Sequence, residues 1–160
     1  MHIVLVEPEI PQNTGNIART CAATGATLHL VHPLGFSIDE KHVRRAGLDY
    51  WSLVDLQEHQ SFAELQALYP SASYFYATTK AQRCYASVRY PPDAFLVFGK
   101  ETQGLPEDLL RKNLDRCIRI PMRDGLRSLN LGNSVAVVLY EALRQNGFAS
   151  LLGQSAYFNH

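Results

Sequence analysis

Cysteine is scarce and poorly placed for cross-linking. The chain has 3, Cys21, Cys84 and Cys117, an odd number with no CxxC pair. That argues against a disulfide framework and against a zinc site, and makes a reducing compartment, the cytoplasm, the simple expectation. Long apolar runs are missing, so no segment is expected to cross a bilayer. The opening MHIVLVEPEIP has no basic n-region and no small-residue cleavage site, so no signal peptide is expected. An excess of either charge is missing too, with 15 basic and 15 acidic residues. This is not the footprint of a non-specific nucleic-acid binder. Neither GxGxxG nor GxxxxGK(S/T) occurs, which removes the usual dinucleotide and nucleoside-triphosphate signatures. His2, His29, His32, His42 and His59 show no ligand spacing, so no metal is expected. Repeats, low-complexity tracts and flexible linkers are absent, which predicts a single domain over residues 1–160.

What is present is a chain able to bury a core, with 46% hydrophobic residues among 160. Its cations are mostly Arg, 11 against 4 Lys. A planar guanidinium forks onto phosphate better than an ammonium does. Taken singly, each Arg is more simply a solvated surface charge.

The pattern alternates strand and helix. Strands are expected at residues 2–6, 27–31, near 51–54, at 73–77, 94–98 and 117–120. The run AFLVF at 94–98 is apolar throughout, as in a strand buried on both faces. A helix over 13–24 has Asn13 or Thr14 to cap it and Gly25 to end it. Ser37-Ile38-Asp39-Glu40 and Ser61-Phe62-Ala63-Glu64 have capping-box spacing; Gly47 closes the first of these helices and Pro70 ends the second. Pro106 suits the first position of a short helix through Lys112. The last helix, 133–146, carries Val135, Val138, Leu139, Ala142 and Leu143 on one face. This is an α/β chain with a mostly parallel sheet and helices on both faces. Ligands of such sheets bind beyond the carboxyl ends of the strands.

Three post-strand segments are unusual. EPEIPQNTGNIAR (residues 7–19) is polar and runs straight into a helix. There Arg19 shares a face with Asn16, away from Ile17 and Cys21 and near a helix end suited to anions. FGKETQGLP (98–106) brackets Glu101 between Gly99 and Gly104, glycines that let backbone approach a ligand. IPMRDGLRSLNLGNS (120–134) follows a strand with a long loop; Met122, Leu129 and Leu131 offer apolar walls, Ser128 and Asn130 hydrogen bonds.

In this order the three segments, with IPMRDGLRSLNLGNSVAVVLYE extending the last to Glu141, resemble the motifs of the SPOUT superfamily of RNA methyltransferases. More narrowly, the chain is similar to the small tRNA wobble-nucleotide 2′-O-methyltransferases of the YibK/TrmL type. HPLGF (32–36) and RRAGLDY (44–50) extend the likeness over nearly the whole chain. The resemblance implies a C-terminal trefoil knot, which composition and periodicity do not show, and a homodimer with each cofactor site beside the partner subunit. The last helix is then a candidate interface. It further implies S-adenosyl-L-methionine as cofactor and tRNA as partner, with the wobble cytidine or modified uridine of leucine tRNAs as the target.

By the same resemblance Arg19 is the catalytic residue, accompanied by Asn13, Glu101, Ser128 and Asn130. The cofactor pocket is expected to be lined by Ala77, Thr78, Gly99, Glu101, Gly104, Ile120, Met122, Ser128 and Leu129, with backbone near Ile120 and Leu129 holding the adenine. A guanidinium stays protonated in proteins, so Arg19 is expected to grip and orient rather than to remove a proton. Arg44, Arg45, Arg83, Arg89, Arg123 and Arg127 are candidate phosphate contacts. The rival readings are a sister enzyme acting on rRNA or another tRNA position, a non-catalytic RNA-binding protein of the same fold, and a flavodoxin-type small-molecule binder, which the missing phosphate loop disfavours.

Overall fold

A computed structural model describes residues 1–38 and 50–158. Its strands are β1 (His2–Val6), β2 (Thr27–Val31), β3 (Leu56–His59), β4 (Tyr74–Ala77), β5 (Phe95–Phe98) and β6 (Cys117–Ile118). They form one sheet in the order β3-β2-β1-β5-β4-β6, and every adjacent pair runs parallel. The helices are α1 (Pro11–Thr24), α2 (Phe62–Leu68), α3 (Glu107–Arg111) and α4 (Leu131–Gln145). Among the described residues no helix is long and apolar enough to cross a membrane.

Alternation along the strands splits the core in two. Ile3, Leu5, Leu28, Leu30, Leu96 and Phe98 face α1 and α4, where Ile17, Cys21, Val135, Val138 and Leu139 meet them. Val4, Val6, Val31, Val97 and Cys117 point the other way, onto Leu65 of α2 and Leu110 of α3. Helices therefore cover both faces, as the apolar β5 run required. The five α4 residues singled out from sequence are all buried; the larger ones each contribute about 2 kcal/mol by burial.

Several boundaries differ from the sequence reading. The segment near Trp51 is a 3-10 turn, Trp51–Leu53, and the strand starts at Leu56. Leu53 is 70% exposed, and LQEH is an edge strand with one neighbour, so its apolar signal is weak. Strand β6 stops at Ile118 because Arg119 pairs instead with the loop after β4, through Arg119 N to Arg83 O (2.8 Å) and Tyr85 N to Arg119 O (2.9 Å). Pro106 caps α3 rather than opening it. Helix α4 starts at Leu131, with Asn130 as its cap. Helix α1 starts at Pro11 behind Ile10, which has no capping side chain; Asn13 and Thr14 lie buried inside its first turn. Gly25 ends it at φ +72°, a left-handed position where glycine avoids a Cβ penalty. Of the helix expected between Ser37 and Gly47, residues 39–47 lie outside the described residues.

One buried feature is polar. His2, His29 and His59 sit on three adjacent strands and form a chain: His2 Nδ1 to His29 Nε2 is 3.0 Å, and His29 Nδ1 to His59 Nε2 is 2.9 Å. Phe95 stacks on His2 with ring centroids 4.1 Å apart, and Tyr69 meets His29 edge-on. Each N–N contact needs one proton, so neutral rings must all share one tautomer direction. Burial, then the neighbouring His2 and His59, push His29 down to about 3; burial also lowers His59 and His2. Asp55 and Asp93 oppose the shift for His2, and Glu64 for His59. The native state thus holds His29 neutral where the unfolded chain would protonate it. Its contribution to stability is fully present above about pH 6.5 and is lost as pH falls towards 3. The urea midpoint should fall steadily on titration from pH 7 to pH 5. In His29→Gln that slope should flatten, and an unchanged slope would remove the chain from this account.

Candidate functional site

The site grows from helix α1, which lacks a cap of its own. Its orphan N–H groups need an acceptor, and no acidic residue occupies its first turn. Glu101, reaching over from the loop after β5, places an acceptor at the residues that lead into the helix. Its carboxylate accepts from Glu9 N (2.8 Å), Ile10 N (3.1 Å) and Asn13 Nδ2 (3.1 Å). A carboxylate at a helix N-terminus is favoured by charge and by hydrogen bonding together.

Asn13, 6% exposed, passes the connection on. Its Oδ1 accepts from Asn130 Nδ2 at 2.9 Å, and Asn130 Oδ1 accepts from Asn133 N at 3.3 Å, capping α4. Three of the residues expected at the site, Glu101, Asn13 and Asn130, thus form one chain across the three unusual segments.

Two further bridges join the same loops. Glu9 accepts from Thr102 N (3.1 Å) and Thr102 Oγ1 (2.8 Å), which makes the clamp reciprocal. Lys100 Nζ meets Glu7 Oε2 at 2.7 Å. Sequence reasoning missed Glu7, Glu9 and Thr102, and no local pattern marks them because their partners lie 93 residues away. Gly99 permits the fold-back of the β5 loop: a Cβ there would fall 2.0 Å from the Gly104 carbonyl carbon. Gly104 turns the loop at φ +70°, where glycine carries no steric cost.

Beside this framework opens a cavity of about 600 Å³. It lies beyond the carboxyl ends of β4, β5 and β6, next to the β1–β5 boundary where strand order reverses, the usual place for a ligand in such sheets. Ala77 at the end of β4 and Thr78 just beyond line it, with Gly99, Glu101 and Gly104 after β5, and Ile120 and Met122 after β6. Ser128, Leu129 and Asn130 close it from the long loop, and Asn13 from α1. Also on its wall, and not foreseen, are Ile10, Lys80, Gln103, Ser134 and Val138.

Arg19 is not among the lining residues. It is exposed on α1, with its guanidinium carbon 4.8 Å above the Tyr50 ring. Of the candidate phosphate contacts, Arg127 lines the cavity, Arg83 bonds the Asp115 carbonyl, and Arg89 and Arg123 are exposed. Arg44 and Arg45 lie outside the described residues. Among the described residues, no group of three or more His, Cys, Asp or Glu is placed to hold a metal.

The bracing role of Glu101 is measurable. Glu101→Gln keeps the size but leaves one amide oxygen for three donors and turns an N–H group toward one of them. It should cost about 2 kcal/mol in chemical denaturation. A loss within a few tenths of wild type would show that the carboxylate does not hold the loops together.

Residues 1–140 match the SpoU rRNA Methylase family. A tRNA (cytidine(34)-2′-O)-methyltransferase from Polaromonas sp. is 51% identical over 151 residues, covering 92% of each chain. A Bacillus subtilis protein that bears the same description provisionally is 53% identical over 154 residues, 94% of this chain and 96% of its own. A solved structure concerned with 2-OH methylation of C/U34 on tRNA superposes with a TM-score of 0.87 at 46% identity, over 91% of this chain and 95% of that one. In sequence and in fold, this chain belongs to the SpoU rRNA Methylase family.

Proposed function

We propose that this protein is an S-adenosylmethionine-dependent tRNA 2′-O-methyltransferase acting on the ribose of the wobble nucleotide, cytidine or a modified uridine, with leucine tRNAs as the expected substrates. The observation that carries it is that three sequence-distant segments converge on one cavity, in a chain about half identical to proteins described by that activity. The cavity volume falls within the range for cofactor sites. Ile118, Ile120, Leu129 and Val138 give it apolar walls for an adenine, and the glycine-bounded β5 loop brings main chain to its edge. S-adenosylmethionine, when bound, supplies a methyl group already activated on a sulfonium.

The chain's own task is then placement. The ribose hydroxyl must stand in line with the methyl, about 3 Å away, and give up its proton as the new O–C bond forms. The Glu101–Asn13–Asn130 chain holds the loops that define this geometry; in this reading these are positioning residues. Ser128, exposed on the wall, is offered to substrate. Arg19 grips an RNA phosphate. Its place outside the cavity of its own chain supports a homodimer in which a second copy brings Arg19 to the site. The exposed Val137 and Tyr140 of α4, 37% and 46% accessible, fit an interface there. The reading also includes a knotted C-terminus. It is supported by the loop after β4, which bonds Arg119 on one side and, on the other, Gln145 of the C-terminal helix and Asn146 just past its end.

Mass spectrometry of tRNA nucleosides, with and without the protein and donor, tests the substrate and reaction together. One 2′-O-methylated anticodon nucleoside should appear, and it should diminish as salt is raised. Methylation confined to rRNA would replace this reading by that of a sister enzyme. Arg19→Ala should bind donor as wild type does and lose transfer by at least about 100-fold; near-normal turnover would refute the role given to Arg19.

A further inference from the structure

Methyl transfer changes the charge of the donor. A cationic sulfonium becomes a neutral thioether, so a positive charge on the cavity wall disfavours the donor relative to its product. Among the described residues the cavity is lined by three cations, Lys80, Lys100 and Arg127. Lys80 points to Glu107 at 3.4 Å, and both side chains are more than half exposed, at 61% and 55%. Arg127 is exposed on the long loop. Lys100 differs from both: its side chain is only 26% exposed, and it follows Gly99 on the loop that forms the cavity edge.

Lys100 is matched by Glu7. Nζ and Oε2 are 2.7 Å apart, and the Glu7 side chain is 33% exposed. The hydrogen bond to Glu7, with the charges of Glu7 and Glu9, raises the Lys100 ammonium above its ordinary value. Glu7 reaches it from a left-handed backbone, φ +52°, a conformation uncommon outside glycine and asparagine. Its own N–H is fixed to Val31 O at 2.9 Å. Backbone strain of this kind persists where the surroundings hold it and clusters at functional sites. The neighbouring carboxylates are engaged elsewhere, Glu9 by Thr102 and Glu101 by the start of α1. Glu7 is therefore the carboxylate that neutralises Lys100.

We propose that Glu7 is a specificity-determining residue for the donor: by cancelling the charge of Lys100 at the cavity wall, it lets the site hold a sulfonium without the penalty that would otherwise favour the neutral thioether left after transfer. The inference rests on the methyltransferase reading above. It assigns Glu7 no contact with the donor and no part in the chemical step. Its effect is a field, and the two ligands share the same ammonium and carboxylate and differ in the charge at sulfur, so a field shifts their ratio, whereas a distorted loop weakens both ligands.

Calorimetric titration of the full chain with S-adenosylmethionine and with S-adenosylhomocysteine separates these cases. In Glu7→Gln the dissociation constant for the donor should rise about fivefold relative to that for the product, as one uncompensated charge on the wall of a partly solvated site implies. Lys100→Gln alone should shift the ratio the other way, and the double variant should return it to the wild-type value. Equal weakening of both ligands in Glu7→Gln, or a ratio unchanged in both single variants, overturns the proposal while leaving the methyltransferase reading intact. A wild-type chain that binds neither ligand overturns the methyltransferase reading itself, and this inference with it.

Discussion

A helix that cannot cap itself is the constraint on which the site depends. Ile10 stands where a capping side chain belongs, and it is the loop after β5 that delivers an acceptor, Glu101, to the N–H groups of Glu9 and Ile10 just ahead of α1 and to the Asn13 side chain in its first turn. Local structure here is completed only by tertiary structure. The consequence is economical: the contact that finishes the helix also fixes the distance between the first and second motif segments. Asn13 extends the same contact to Asn130 and the start of α4. One carboxylate and two amides thus set the mutual position of three loops, and the cavity is the space left between them. Any shift of the β5 loop would strip the acceptor from Glu9, Ile10 and Asn13, and any fraying of α1 would release Asn130.

The sheet explains why those loops meet at all. With β1 and β5 adjacent, the segments that follow them leave the sheet side by side, although they are about ninety residues apart in the chain. The β4 and β6 ends extend the row. The buried histidine chain lies on the other side of β1, across β2 and β3. It ties the edge strand to the centre by polar contacts where an apolar sheet would have used none. Neutrality is its condition, which makes this half of the sheet the acid-sensitive half.

Much of this was legible in the sequence, and the failures have physical reasons. The alternating elements, the two-faced sheet and the buried stripe of α4 follow from periodicity, since burial writes itself into residue order. The motif segments announced themselves as polar stretches after apolar strands, and eleven of the residues expected at the site do share one cavity. Periodicity had no purchase on LQEH, an edge strand with too little buried surface to mark it. The caps were misassigned for a deeper reason: Asn13 has the chemistry of a cap, but the helix already starts at Pro11, and the Asn13 side chain is taken by Glu101 and Asn130 from far along the chain. Glu9 and Thr102 carried no signal for the same reason. Arg19 stays outside the cavity of its own chain, and helical spacing reports only which face a residue occupies, not which site that face meets.

The bonding of the site also narrows the chemistry left to it. Each carboxylate beside the cavity is committed: Glu101 to three N–H donors, Glu9 to Thr102, Glu7 to Lys100. On the proposed reading the ribose proton therefore does not go to Glu101, despite the acidic residue's place between two glycines. It leaves late, as the methyl group draws electron density from the oxygen, and a weak acceptor such as an RNA phosphate or water is then sufficient. Catalysis by such a site is alignment and electrostatics rather than strong base chemistry. This explains why so much of its hydrogen bonding is spent on fixing loops to one another.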